Sequence, residues 1–95
     1  MRVSVVGGSR IDEATAQTAR VLGRVLGERD HTVVTGGLGG VMEAVSAGAR
    51  ERGGHTIGIL PGYDRGEANE HVAEPIATGI GHARNGLVEI GRAHV

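Results

Sequence analysis

The residues that could do chemistry in this chain gather around glycine. "VVGGSR" (Val5 to Arg10), "TGGLGG" (Thr35 to Gly40) and "LPG" (Leu60 to Gly62) each place glycine directly behind a short aliphatic run. Glycine at such a bend permits positive φ and lets an anion approach main-chain N–H groups without meeting a Cβ. If the aliphatic runs are parallel strands, the three bends share one rim, where turn amides and the positive ends of helix dipoles converge. The plainer alternative is that the glycines only allow tight strand-to-helix turns. At one bend the two readings are level; repetition at three favours binding. The candidate contacts are Gly7, Gly8 and Ser9 at the first bend and Gly36, Gly37, Gly39 and Gly40 at the second. Pro61 and Gly62 stand at the third, with Thr78 further on.

Arg84 and Asn85, in "TGIGHARNG", complete the set. An arginine near a helix start on that rim could clamp a phosphate or carboxylate through two parallel hydrogen bonds. Taken alone, an arginine there is more often a solvated helix charge. Glu43, in the first turn of the helix after the second bend, gains from the helix dipole and reads as a cap-region charge before an acid catalyst.

Several chemistries are excluded. "GGSRID" after the first strand is not G-x-G-x-x-G, and no acidic residue ends the second strand to hold a ribose hydroxyl, which disfavours NAD. The chain has no Lys and no G-x-x-x-x-G-K-[ST], so a Walker-type ATP site is absent. His31, His55, His71, His82 and His94 show no H-x-x-x-H or H-x-H spacing, and no metal site is expected.

The elements that must position these residues alternate. "RVSVV" reads as a buried parallel strand and "HTVVT", from His31 to Thr35, as the next, and "HTIGIL" repeats the pattern from His55 to Leu60. Between them, an amphipathic helix started by Ser9 or Asp12 and stopped near Gly27 carries Ala19, Leu22, Val25 and Leu26 on its apolar stripe. Gly40 to Arg52 is a second, with Val41, Met42, Val45 and Ala49 inward and Gly48 allowing close approach. Residues 61–74 form a long polar loop, "PIATG" (Pro75 to Gly79) is a candidate fourth strand, and a last helix begins at His82 or Ala83. Such alternation predicts an α/β fold, a three-layer sandwich around a parallel sheet.

Composition fits one domain. There are 95 residues, a net charge of -1, no Cys, 18 Gly and one aromatic residue, Tyr63. The core must therefore be Val, Ile, Leu and Ala packed closely around glycine. A nucleic-acid or membrane partner is not expected from this charge and aromatic content, and a cytoplasmic location is the default. The last seven residues, Glu89 to Val95, are expected to be non-native. "IGRAHV" is what ATC GGA AGA GCA CAC GTC encodes, the core of a sequencing-library adapter, and the preceding bases AG complete a Glu codon. Residues 1–88 would then be the amino-terminal part of one nucleotide-binding domain, truncated before its final strand or strands.

The succession "VVGGS", "VVTGGLGGVMEAVSAGARERGGHTIGILPG" and "TGIGHARN" resembles the Rossmann-like superfamily of the Lonely Guy phosphoribohydrolases, long labelled lysine decarboxylases. It is most similar to the small bacterial branch akin to molybdenum-cofactor carrier proteins. The resemblance covers nearly all of residues 1–88. It implies that Gly7, Gly8 and Ser9 line a nucleotide site, that Gly36, Gly37, Gly39 and Gly40 form its second bend, and that Arg84 faces the ribose-phosphate, the one catalytic role available to carry over. The hydrolases have Arg-Lys where this chain has Arg84-Asn85, and glycine where it has Glu43. Their "PGGxGTxxE" motif, with the catalytic glutamate, is absent from the chain.

The resemblance thus implies binding of a phosphorylated small molecule, a nucleoside monophosphate or a molybdopterin-type ligand, in a carrier or binding role. The parent protein is expected to be a homo-oligomer. The alternative is that the parent is a nucleoside 5′-monophosphate phosphoribohydrolase. Breaking an N-glycosidic bond needs an acid/base carboxylate near the ribose, so this polypeptide is expected to be inactive: incubation with AMP should release no adenine measurable by chromatography.

Overall fold

Among the described residues, four parallel strands and three helices follow the predicted alternation. They are β1 (Arg2–Ser4), α1 (Glu13–Glu28), β2 (Thr32–Thr35), α2 (Val41–Glu51), β3 (Thr56–Leu60), β4 (Glu74–Ala77) and α3 (Asn85–Gly91). The sheet order is β1-β2-β3-β4, every neighbouring pair parallel. The computed structural model describes residues 1–91; of the expected non-native stretch, 92–95 lie outside the described residues. The polar loop holds one 3-10 turn at Arg65–Glu67, and a second at Gly81–Arg84 leads without a break into α3.

Side-chain alternation along β2 separates the two faces of the sheet. Val33 packs with Val45 and Ala49 of α2, flanked by Val5 and Leu26. Val34 packs with Ile59 and Val88, flanked by Ile57. Strands that advance in one direction through right-handed crossovers put α1 and α2 on the same side, and α3 closes the opposite side. The fold is therefore the three-layer α/β sandwich that the alternation implied. β1 differs from the buried strand expected: Arg2 is exposed and Val3 and Ser4 are half-buried, because it is an edge of the described sheet.

Asp12 starts α1 by accepting the Thr15 N–H at 2.8 Å, a bond that also holds its carboxyl below the ordinary aspartate range. The apolar stripe predicted for α1 needs correction. Ala19, Gly23 and Gly27 are buried, whereas Leu22 and Val25 are 46% and 39% exposed. The reason is backbone contact with α2. A Cβ on Gly23 would strike the Val45 carbonyl, and one on Gly48 would strike the Arg20 carbonyl. Small residues in a row at i, i+4 and i+8 let the helices approach to main-chain distance, and this turns the larger side chains outward.

Across the exposed side of the same contact, Glu51 accepts from Arg20 Nε at 2.9 Å and Arg24 Nε at 3.1 Å. Hydrogen bonds from Arg20, then Arg24, pull the Glu51 carboxyl down to about 2. Elsewhere Tyr63 is 88% exposed, its ring lying across Gly79, where a Cβ would run into Cδ1 at 2.7 Å.

Gly48→Ala forces the helices apart and should lower stability by at least ~1–3 kcal/mol. Gly86→Ala, in α3 with nothing within 4 Å of the added methyl, should be neutral or raise stability by about 0.5–1 kcal/mol; urea unfolding reads both. The depressed Glu51 carboxyl favours the folded state above the ordinary glutamate value of 4.5 and loses that effect as pH falls through about 2. The stability difference between wild type and Glu51→Gln should accordingly be present at neutral pH and close between pH 4.5 and 2 in acid-titration unfolding.

Candidate functional site

The first two glycine bends are pressed against each other. The Val41 N–H, first of α2, donates to the Gly8 carbonyl at 3.0 Å. A Cβ at Gly7 would lie 2.7 Å from Val41 Cβ, and one at Gly40, whose φ is 69°, would meet the Gly8 carbonyl. Gly36 makes room for a side chain: a Cβ there would lie 2.7 Å from Arg84 Nη2 and 2.8 Å from Met42 Sδ. The nearest atoms to added methyls on Gly8 and Gly39 are at 3.6 and 3.7 Å, ordinary contact distances. Most of these glycines thus serve chain-to-chain contact, and Gly8 and Gly39 alone among them leave the backbone open.

Beside this junction is a cavity of about 350 Å³. Of the predicted residues, Gly7, Ser9, Gly36, Arg84 and Asn85 line it. Val6, Leu38, Met42 and Val88 give it an apolar wall, while His82 and Glu89 add titratable groups. The chain pattern singled out none of these six as ligand contacts. Met42 carries a usable signal, standing in the first helical turn behind a glycine bend, and His82 and Glu89 carry none.

Arg84 is the last residue of the 3-10 turn and only 4% exposed, not the solvated helix charge that its sequence context suggests on its own. Burial lowers its pKa, and its Nε has no hydrogen-bond partner among the described residues. The turn is held from two sides. Ser4 Oγ donates to the Val88 carbonyl at 2.5 Å, tying α3 to β1. The Gly79 and Gly81 amides donate to the Gly62 and Pro61 carbonyls at 2.8 and 2.9 Å.

That second set of bonds locates the third bend. Pro61, Gly62 and Thr78 do not line the Arg84 cavity. Thr78 donates through both N and Oγ1 to the Leu60 carbonyl, at 3.1 and 2.6 Å. These residues support the segment that carries Arg84. Gly37 is also drawn into support: its N–H bonds Thr35 Oγ1 at 3.0 Å and its carbonyl receives the Asn69 amide at 2.8 Å.

A second cavity, of about 500 Å³, lies between the start of α1 and α2, with Ser9 common to both. Gly40, Arg10, Glu43 and His71 line it. Donor atoms of Glu43, Glu70 and His71 lie within 4.8 Å of one another, and Glu43 and His71 line the cavity. Histidine spacing along the chain could not show this group, since folding assembles it from α2 and the loop before β4.

A parallel α/β domain with a cavity beside a buried arginine is what fold and site define. The chain belongs to the SLOG cluster4 family, whose model matches residues 1–93. An uncharacterized protein of Archaeoglobus fulgidus is 40% identical over 88 residues, covering 93% of this chain and 58% of that protein. The molybdenum cofactor binding protein of Rippkaea orientalis superposes with a TM-score of 0.85 at 32% identity, over 96% of this chain and 55% of that one. The molybdenum cofactor carrier protein of Chlamydomonas reinhardtii does so with a TM-score of 0.79 at 36% identity, over 85% of this chain and 51% of that one. The chain therefore spans about half the length of these relatives. The resemblance to the carrier branch drawn from "TGGLGGVMEA" is borne out.

Ser4→Ala removes the tie between α3 and β1. It should cost about 1 kcal/mol in urea unfolding and speed amide exchange in residues 84–88 relative to α2.

Proposed function

We propose that this chain binds the phosphate end of a phosphorylated small molecule, a nucleotide or a molybdopterin-type cofactor, and holds it without transforming it. The observation that carries the reading is Arg84: an always-charged guanidinium, buried beside the cavity, whose Nε has no partner among the described residues. Burying such a charge is costly unless an anion accompanies it. The start of α2 adds to the demand, because Gly40 caps it with no side-chain hydrogen bond and its dipole is positive at that end. Met42, in the first turn of that helix, lines the cavity together with Arg84, and a helix start beside a guanidinium suits an anion.

The residues fit the anionic end of such a ligand. Arg84 would hold a phosphate oxygen, the Ser9 hydroxyl and Asn85 amide would add neutral hydrogen bonds, and Gly7 and Gly36 would keep side chains out of the way. The open backbone at Gly8 and Gly39 is the neighbouring surface for the rest of the ligand. A bound molybdenum cofactor would bring oxygen-transfer chemistry to exercise elsewhere; the residues of this chain bind and orient. The names of the solved relatives support a binding or carrier role.

The phosphoribohydrolase reading draws no support from those relatives. Among the described residues Glu89 is the one carboxylate lining the Arg84 cavity, and it falls in the stretch expected to be non-native. For the whole protein we further propose a cytoplasmic location and a homo-oligomeric state, without nucleic-acid or membrane partners. No described helix is long and apolar enough to cross a membrane.

Calorimetric titration with AMP, and separately with a molybdopterin-type ligand, tests the proposal. Saturable binding of one of them is expected, weakened at least ~10-fold by Arg84→Gln, as loss of a charged hydrogen bond implies. Gly36→Ala, which displaces the guanidinium, should weaken it comparably, and Gly53→Ala, remote from the cavity, should not. Binding that survives Arg84→Gln unchanged overturns the proposal.

A further inference from the structure

We propose that Glu43, Glu70 and His71 form a divalent-metal site at the larger cavity, separate from the Arg84 pocket. The three residues come from different parts of the chain: Glu43 from the first turn of α2, Glu70 and His71 from the loop that precedes β4. Their donor atoms lie within 4.8 Å of one another, with His71 Nε2 at 3.5 Å from Glu70 Oε1.

The loop is fixed from both sides. Asn69 Nδ2 donates to the Leu38 carbonyl at 2.7 Å, and its Oδ1 accepts the His71 amide at 3.0 Å. On the other side the Thr56 hydroxyl donates to the His71 carbonyl at 2.6 Å. The second glycine bend and β3 thus hold His71 beside α2 before any ion arrives, so binding need order only side chains. Ligands of one ion at ~2.1 Å stand about 3–3.5 Å apart. Glu43 and Glu70 are both exposed, so their side chains are free of packing that would oppose the adjustment to that spacing.

Charge argues the same way. Two carboxylates this close repel, and among the described residues Glu43 is in no ion pair, although Arg10 lines the same cavity. A dication removes the repulsion. One imidazole nitrogen with carboxylate oxygens is a borderline donor set, suited to zinc or manganese before magnesium. Three protein ligands leave coordination positions free, and because Glu43 and His71 line the cavity of about 500 Å³, those positions face a space large enough for water or a small anionic co-ligand.

Titration of the full chain with Zn²⁺ alone, followed by calorimetry and by the His71 imidazole resonances, tests the site. We expect saturable binding of one ion, a shift of the His71 signals at the same ratio, and affinity reduced at least tenfold by Glu43→Gln and by His71→Asn. Glu43→Gln changes an exposed side chain without altering its shape and keeps the test sound if His71→Asn unfolds. His55→Asn, which breaks the unrelated pair with Glu74, should leave affinity unchanged. Absence of saturable binding, binding indifferent to Glu43→Gln, or equal loss in His55→Asn overturns the assignment.

Discussion

The hydrogen bond from the Val41 amide to the Gly8 carbonyl is the contact on which the rest of the site depends. It joins the bend after β1 to the start of α2, and Gly7 on one side and Gly40 on the other leave the room that this approach needs. Around it, Gly36 makes room for Arg84 and Met42, and Ser9 is the wall common to two cavities. A methyl group at Gly7 or Gly40 would break this arrangement before it affected any ligand.

The same economy of side chain operates one layer away. Gly23, Gly27 and Gly48 bring α1 and α2 to main-chain contact, which thins the helical layer and leaves Val33, Val45 and Ala49 as a small, dense core beneath it. A chain with a single aromatic residue has no large side chains to fill a wider gap. On the opposite side, Val88 fixes α3 through Val34 and Ile59, and Arg84, one helical turn earlier, is carried to a buried position.

Strand order within each βα unit was legible because periodicity and glycine punctuation agree there. "HTVVTGG" and "HTIGILPG" each declare a strand and its stop. What could not be read was the direction in which α1 faces. Hydrophobic pattern favours Leu22 and Val25 inward, but close approach through Ala19, Gly23 and Gly27 turns them out. At the site, the sequence supplied Gly7, Ser9, Gly36, Arg84 and Asn85, and the structure gathers these five around one cavity. It could not distinguish glycines that open a surface from glycines that admit another part of the protein. Nor could it show that Pro61, Gly62 and Thr78 spend their polar groups on the returning chain, or that His71 comes to rest near Glu43. Each of those facts depends on contacts between elements, and spacing along one element carries no information about them.

Tyr63 stands outside all of this, flat against Gly79 and open to solvent. Since it is the sole aromatic chromophore, near-ultraviolet absorbance and intrinsic fluorescence report on the polar loop alone. The interior is spectroscopically silent at those wavelengths, and a tryptophan introduced there would light up a core that the native chain leaves dark.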